Sequence, residues 1–156
     1  MKAVVQRVSL ACVRVEGTEK ARIGQGLLVL LGVAAGDTSD DASWMAGKIS
    51  RLRVFPDGRR HMNLSPADIR GELLLISQFT LLGDASRGNR PSFSEAAGPD
   101  LARQLYLEVA AGIRKAGLQV RTGEFGAMME VELINDGPVT IILESPKKQA
   151  GKSSRP

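Results

Sequence analysis

The chain has 156 residues, 43% of them hydrophobic and 24% charged, and its formal net charge is +4. This length fits one globular domain, which buries about 70% of the surface that its unfolded chain exposes. The single cysteine, Cys12, excludes an internal disulfide framework. The sequence shows neither a signal-peptide pattern nor an apolar run of roughly 18 residues, so we expect a cytoplasmic protein.

Apolar residues in the first third of the chain alternate or run unbroken, as in strands. Three strands are predicted, at residues 3–15, 21–23 and 26–33. Thr38 or Ser39 then caps a helix that runs to about Arg51. The apolar stripe of this helix is imperfect and consists of Trp44, Ile49 and Leu52.

The rest of the chain predicts further strands and one longer helix. Residues 53–55 lead into a turn, 72–82 form an apolar strand, and 83–97 form a polar loop. The helix starts at Pro99, ends near Gly117, and repeats apolar residues every four positions at Leu101, Leu105, Val109 and Ile113. Residues 119–124 and 128–145 favour strands again. The pattern predicts an α+β fold, with a curved, barrel-like, antiparallel-rich β-sheet and two main helices packed outside it.

Polar residues interrupt the strand predicted at 72–82. Ser77 and Phe79 would face one side of the sheet and Gln78 and Thr80 the other, unless the strand ends or bulges there. Such a break would expose the backbone N–H groups near Phe79 and Thr80. Together with the Gln78 amide, these groups would form an oxyanion hole, which supplies about 3–4 kcal/mol per donor to acyl transfer.

A second interruption, Asn-Asp-Gly-Pro at residues 135–138, lies inside the last strand-like segment. Proline cannot donate a ladder hydrogen bond, so Gly137-Pro138 requires a turn, a bulge or an edge strand. An X-Pro bond is also where a cis peptide is most easily tolerated. An ordinary hairpin turn is the alternative, because these four residues are good turn formers.

The remaining chemistry-bearing residues exclude several classes of site. His61, the one histidine, follows two arginines in a predicted loop, so a serine hydrolase relay and a multi-ligand zinc site both lack their residues. Gly24 and Gly26 lack the third glycine of a dinucleotide loop, and no P-loop sequence is present. We therefore expect neither a metal nor a nucleotide cofactor.

Residues 77–81 and 135–140 carry, in order and without a substitution, the SQFTL and NxGPVT motifs of the D-aminoacyl-tRNA deacylase family. The chain resembles this family over almost its whole length, also through residues 5–8, 26–33 and 90–94. The resemblance implies one deacylase domain, residues 1–145, followed by a tail. It also implies hydrolysis of the ester bond in D-aminoacyl-tRNA and in glycine mischarged on tRNA-Ala, without a cofactor.

The resemblance further implies a homodimer with the active site at the subunit interface. Gly137-Pro138 of one subunit would enter the other subunit's site with a cis bond, hold the substrate amino group and reject L-amino acids. Arg7 would brace this loop. Gln78 and Phe79 would stabilise the oxyanion beside Ser77.

Two further residues are assigned to the bound tRNA end. Phe125 would lie near the terminal adenosine. Met129, with Met128, would line an adaptable apolar pocket next to Phe125, and the alternative is that these methionines fill gaps in the core. Thr80 has two readings: a nucleophile, or a structural residue with the ribose 2′-OH of the tRNA assisting instead. Because no histidine or lysine lies near Thr80 in sequence to activate it, the second is favoured.

Two other functions fit the same residues less well. One is a non-catalytic module that binds the tRNA acceptor end, and the other is a hydrolase of free D-amino acid derivatives, which the missing base disfavours.

Four of the 21 basic residues and none of the 17 acidic residues fall in the tail, residues 146–156, so residues 1–145 are formally neutral. The tail is predicted to be a disordered, solvated terminus, with weak attraction to RNA phosphates as the alternative.

Overall fold

The computed structural model describes residues 1–146, so all of the predicted basic tail but Pro146 lies outside the described residues. Eight strands, two α-helices and one short 3-10 turn follow one another along the chain. In order they are β1 Lys2–Val15, β2 Thr18–Ile23, β3 Gly26–Gly32, α1 Ser39–Ser50, β4 Phe55–Pro56, β5 Met62–Leu64, β6 Glu72–Ser77, the 3-10 turn Phe79–Leu82, α2 Pro99–Lys115, β7 Gln119–Thr122 and β8 Glu130–Glu144.

Strand β1 organises the main sheet because its two edges are used differently. Its first half pairs with β3 and its second half with β2, while β8 runs antiparallel to it from Lys2 to Arg14. Strands β3, β6 and β7 continue the sheet in parallel. Because β2 also approaches β6 and β7, the mixed sheet is nearly closed and barrel-like.

Each face of the sheet buries a separate apolar cluster. Helices α1 and α2 pack together outside the sheet, and Gly112 of α2 lies so close to Ala46 of α1 that an added Cβ would stand 2.7 Å from the Ala46 Cβ. A smaller cluster fills the other face, from Val8, Ala11, Val13, Ala21, Ile23, Leu28, Leu74 and Ile76. The predicted α+β fold with two outer helices is confirmed. Neither helix in residues 1–146 is long and apolar enough to cross a membrane.

The structure corrects two details of the predicted elements. The strand expected at 72–82 ends at Ser77, and the chain then tightens into the 3-10 turn. The buried face of α1 is formed by smaller residues, including Ala42, Met45 and Ala46 with Ile49, whereas Trp44 and Leu52 are only partly buried. The predicted cap at Thr38 is confirmed, and Asp41 completes it, because its carboxylate accepts the Thr38 backbone N–H at 2.9 Å.

Candidate active site

The first cluster of predicted site residues lies where β6 ends. The Gln78 backbone N–H still donates to the Leu31 carbonyl of β3, at 2.8 Å. The chain then turns away from the sheet. Within residues 1–146, the backbone N–H groups of Phe79 and Thr80 donate no hydrogen bond to a protein acceptor. Two neighbouring N–H groups at the end of β6 are therefore without a partner among these residues, which is the arrangement expected if the strand ended here.

Of the side chains at these N–H groups, Ser77 and Gln78 are half-buried, and Phe79 and Thr80 are exposed. The Gln78 side-chain amide donates to the Thr80 hydroxyl, and both residues lie on the surface side of the turn. In the described part of the chain, no imidazole, amine or carboxylate hydrogen-bonds to the Thr80 hydroxyl. Ser77, half-buried at the last position of β6, stands opposite Leu31. Nothing in this arrangement activates Thr80 as a nucleophile.

An aromatic pair borders the turn. The Phe79 and Phe93 rings meet edge to face with centroids 5.2 Å apart, and they remain 53% and 37% exposed. Gly83 makes room for this contact, because a Cβ there would lie 2.9 Å from the Phe93 ring. Phe93 was not predicted as a site residue. The signs of it in the sequence are an aromatic residue inside a long polar loop and its place in residues 90–94, which resemble the deacylase family.

Phe125 and Met129 lie in the connection between β7 and β8, which passes the end of β6. The Gly123 N–H points to the Leu75 carbonyl, and the Met129 sulfur is so close that a Cβ on Gly123 would stand 2.7 Å from it. The Phe125 ring packs on Tyr106 with centroids 5.8 Å apart. These two predicted residues thus lie at the same end of the sheet as residues 77–80, but Phe125 packs against the apolar cluster on the helix face and Met129 against the cluster on the other face.

Tyr106 anchors this region from α2. Its hydroxyl donates to the Leu75 carbonyl at 2.8 Å, and burial raises the pKa of Tyr106 to about 12. The phenol is therefore neutral at physiological pH and acts as a fixed donor.

In the described residues, no group of three histidine, cysteine, aspartate or glutamate side chains is placed to hold a metal ion.

The second cluster surrounds Gly137-Pro138, whose peptide bond is cis. Gln6 of β1 pairs with Thr140 and Val8 pairs with Asn135, so four residues of β8, 136–139, stand opposite Arg7 alone. This segment is a wide bulge within one continuous strand, so the ordinary hairpin turn is ruled out. Gly137 has φ +128°, a conformation that favours glycine.

Side chains from both strands fix the bulge. The Arg7 guanidinium donates to the Asp136 carbonyl at 3.1 Å and to the Val54 carbonyl at 2.7 Å, and it also pairs with the Asp136 carboxylate at 3.2 Å. The Asn135 amide donates to the carbonyls of Arg7 and Val139 at 3.0 and 2.9 Å. Asn135 therefore ties the two ends of the bulge together, a role that the sequence analysis did not assign.

Within one copy of the chain the two clusters are apart. Residues 136–139 belong to β8, and the path through the sheet from β8 to Ser77 crosses β1 and β3 before it reaches β6. The bulge also lies near the end of β3 that starts at Gly26, whereas Ser77 pairs beside Leu31. The two clusters are therefore separated both across the strands and along them.

Comparison with known proteins agrees with these motifs. The family model described as D-Tyr-tRNA(Tyr) deacylase matches residues 4–144. The chain belongs to this deacylase family. Its relatives include a D-aminoacyl-tRNA deacylase of Chlorobaculum tepidum, 57% identical over 95% of this chain and 99% of that protein. Another is the protein of the same name from Anaeromyxobacter dehalogenans, 56% identical over 93% of this chain and 97% of that protein.

A solved structure gives the same fold. The protein named c-Myc DNA Unwinding Element Binding Protein is 44% identical, with a TM-score of 0.88, and the match covers 94% of this chain and all of that one. The deacylase family consists of hydrolases that act on aminoacyl-tRNA, and the chain is an enzyme of this type.

Proposed function

We propose that this deacylase cleaves the ester bond between a D-amino acid and the 3′-terminal adenosine of tRNA, releasing the free D-amino acid and tRNA, and that it also removes glycine mischarged on tRNA-Ala. The observation that carries the proposal is the pair of N–H groups of Phe79 and Thr80 without an acceptor in the described chain, beside the Gln78 amide. Such donors stabilise the oxyanion of an acyl-transfer intermediate.

The chemistry needs few catalytic side chains because an aminoacyl ester is already activated. Water attacks the ester carbonyl, and the carbonyl oxygen becomes an oxyanion held by the two N–H groups. The adenosine 3′-oxygen then leaves with a proton. The neighbouring ribose 2′-OH, which the substrate brings to the site, assists these proton transfers. Thr80 receives a hydrogen bond from Gln78 and serves to hold the turn.

Selection against L-amino acids is assigned to Gly137-Pro138 of a second subunit. The separation of the two clusters within one chain supports this homodimeric arrangement, and the exposed bulge is free to enter a partner's site. An L side chain would meet rigid backbone there, whereas a D side chain would point away and glycine has none to reject. Arg7 and Asn135 supply the rigidity. Phe125 and Met129 would then border the terminal adenosine.

The test compares three tRNA substrates and one altered tRNA end. D-Tyr-tRNA and Gly-tRNA-Ala should be hydrolysed, and L-Tyr-tRNA should stay intact. A tRNA ending in 2′-deoxyadenosine, with the D-amino acid on its 3′-oxygen, should react much more slowly, while Thr80→Ala should keep substantial activity. Loss of activity in Thr80→Ala together with normal hydrolysis of the deoxy substrate would make Thr80 the nucleophile. Binding of tRNA without any hydrolysis would instead support a non-catalytic acceptor-end module.

A further inference from the structure

A short arm of the chain, residues 84–92, projects beside the aromatic pair. Its base is closed by two backbone hydrogen bonds between Asp84 and Ser92, each 2.8 Å long. The Asp84 carboxylate turns into the arm and accepts the Ser86 N–H at 2.9 Å. Every residue of the arm is exposed. The arm is thus a closed hairpin with a defined base rather than an open loop.

The charged residues of the arm beyond its base are two arginines. Arg87 and Arg90 are the only charges between Asp84 and Glu95, and neither has a carboxylate within 4.0 Å among residues 1–146. Other cations on the sheet are ion-paired: Lys2, Arg7, Arg14, Lys20, Arg22 and Arg121. With Asp84 as its one acid, the arm carries a net charge of +1, and neither arginine forms an ion pair among residues 1–146.

The position of the arm decides which partner this charge meets. Ser92 is followed directly by Phe93, whose ring lies on Phe79, next to the two free N–H groups. Arg90 is three residues from Phe93, so their Cα atoms are at most about 11 Å apart. A ligand whose ester occupies the N–H groups carries its nearest phosphates immediately upstream of the terminal nucleoside.

We propose that Arg87 and Arg90 bind phosphates of the 3′ strand of the tRNA acceptor end and thereby position the ester at Phe79 and Thr80. Arginine suits this role because its planar guanidinium donates two parallel hydrogen bonds to one phosphate. This inference rests on the proposed deacylation, and it adds the surface that distinguishes tRNA from a free aminoacyl nucleoside.

The experiment uses the double variant Arg87→Gln/Arg90→Gln and two substrates. On D-aminoacyl-tRNA, kcat/KM should fall about tenfold or more through KM. The slope of log kcat/KM against log salt concentration should become shallower by about 1.4 to 1.8, the loss of two phosphate contacts. On D-aminoacyl-adenosine, which has no phosphate, kcat/KM should be unchanged.

The matched control removes two exposed cations elsewhere, with Arg103→Gln/Lys115→Gln on α2. It should leave the salt slope unchanged. Equal losses on both substrates for the arm variant would overturn the proposal, because the arm would then shape the site rather than bind phosphate. An equal effect of the control variant would also overturn it, in favour of general charge.

The deacylation proposal and the proposal for the arm are refuted by different results. If the wild-type protein leaves D-aminoacyl-tRNA intact, the deacylation proposal fails by itself. The arm is then tested by the binding of uncharged tRNA, measured by fluorescence anisotropy. Affinity retained in Arg87→Gln/Arg90→Gln, with a native circular dichroism spectrum, would overturn the arm proposal. Affinity lost there but kept in the control would support it.

Discussion

Replacing Gly137 by alanine tests whether the bulge is held by its neighbours. A Cβ at this position would stand 2.8 Å from the Val139 Cγ2 atom and 2.9 Å from the Arg7 Nη2 atom. The backbone also has φ +128°, where an L side chain is strained by about 1–3 kcal/mol. Overlap with packed atoms adds about 1–3 kcal/mol. The free energy of unfolding should fall by the sum of both effects.

Gly17→Ala separates the two contributions. Gly17 also has a positive φ, +75°, but its added Cβ would meet nothing within 4 Å. The two variants should therefore differ by about 1–3 kcal/mol in urea unfolding at one fixed protein concentration. Hydrolysis of D-Tyr-tRNA should fall in Gly137→Ala and stay normal in Gly17→Ala. Equal unfolding midpoints and equal activity would refute the bracing by Arg7 and Val139.

Three other substitutions test the core and the site. In Gly26→Ala, the new Cβ would stand 1.8 Å from the Glu72 carbonyl oxygen and push β3 away from β6, so the melting temperature should fall by roughly 6–12 °C. An added Cβ at Gly36 would meet nothing within 4 Å, so Gly36→Ala should melt like the wild type. Asn135→Ala leaves the Arg7 and Val139 carbonyls without the Asn135 amide as donor, so the free energy of unfolding should fall by about 1–3 kcal/mol and deacylation should fall with it. Unchanged stability and unchanged deacylation would count against a bracing role for Asn135. Burial raises the pKa of Tyr106 from 10.0 to about 12, so the phenol of the unfolded chain ionises at lower pH than that of the folded protein. The free energy of unfolding should therefore be unaffected below pH 10 and fall by on the order of 2–3 kcal/mol between pH 10 and 12. Alkaline unfolding curves of Tyr106→Phe should lack this decline.

Elements with a strong repeat were predictable from the sequence. The four-residue spacing in α2 and the alternation in β1 are local patterns, and both elements appear nearly at their expected bounds. The end of β6 was not predictable in this way. Leu81 and Leu82 continue the apolar run, and only the last hydrogen bond from Gln78 to β3 shows where the strand stops. The short β4–β5 pair carried no periodicity to detect.

The candidate site was predictable in its residue types and not in its arrangement. The sequence placed polar residues at 77–80 and a required irregularity at Gly137-Pro138. It did not show that three strand pairings separate them, because this follows from the order of β8, β1, β3 and β6 in the sheet. Phe93 and Asn135 were missed as site residues because their roles depend on partners distant in sequence, Phe79 and Arg7.

The pairing of β1 with β8 also sets an order for assembly on the ribosome. From Val15, where β1 ends, to Glu130, where β8 begins, translation at about 5–20 residues per second takes roughly 6–23 s. During this interval β1 can pair with β2 and β3, but the edge of β1 that later pairs with β8 has no partner strand. Phe79 and Thr80 are synthesised more than 50 residues before Asp136, the partner of Arg7. A nascent chain therefore carries its prospective oxyanion donors well before the element assigned to chiral selection exists.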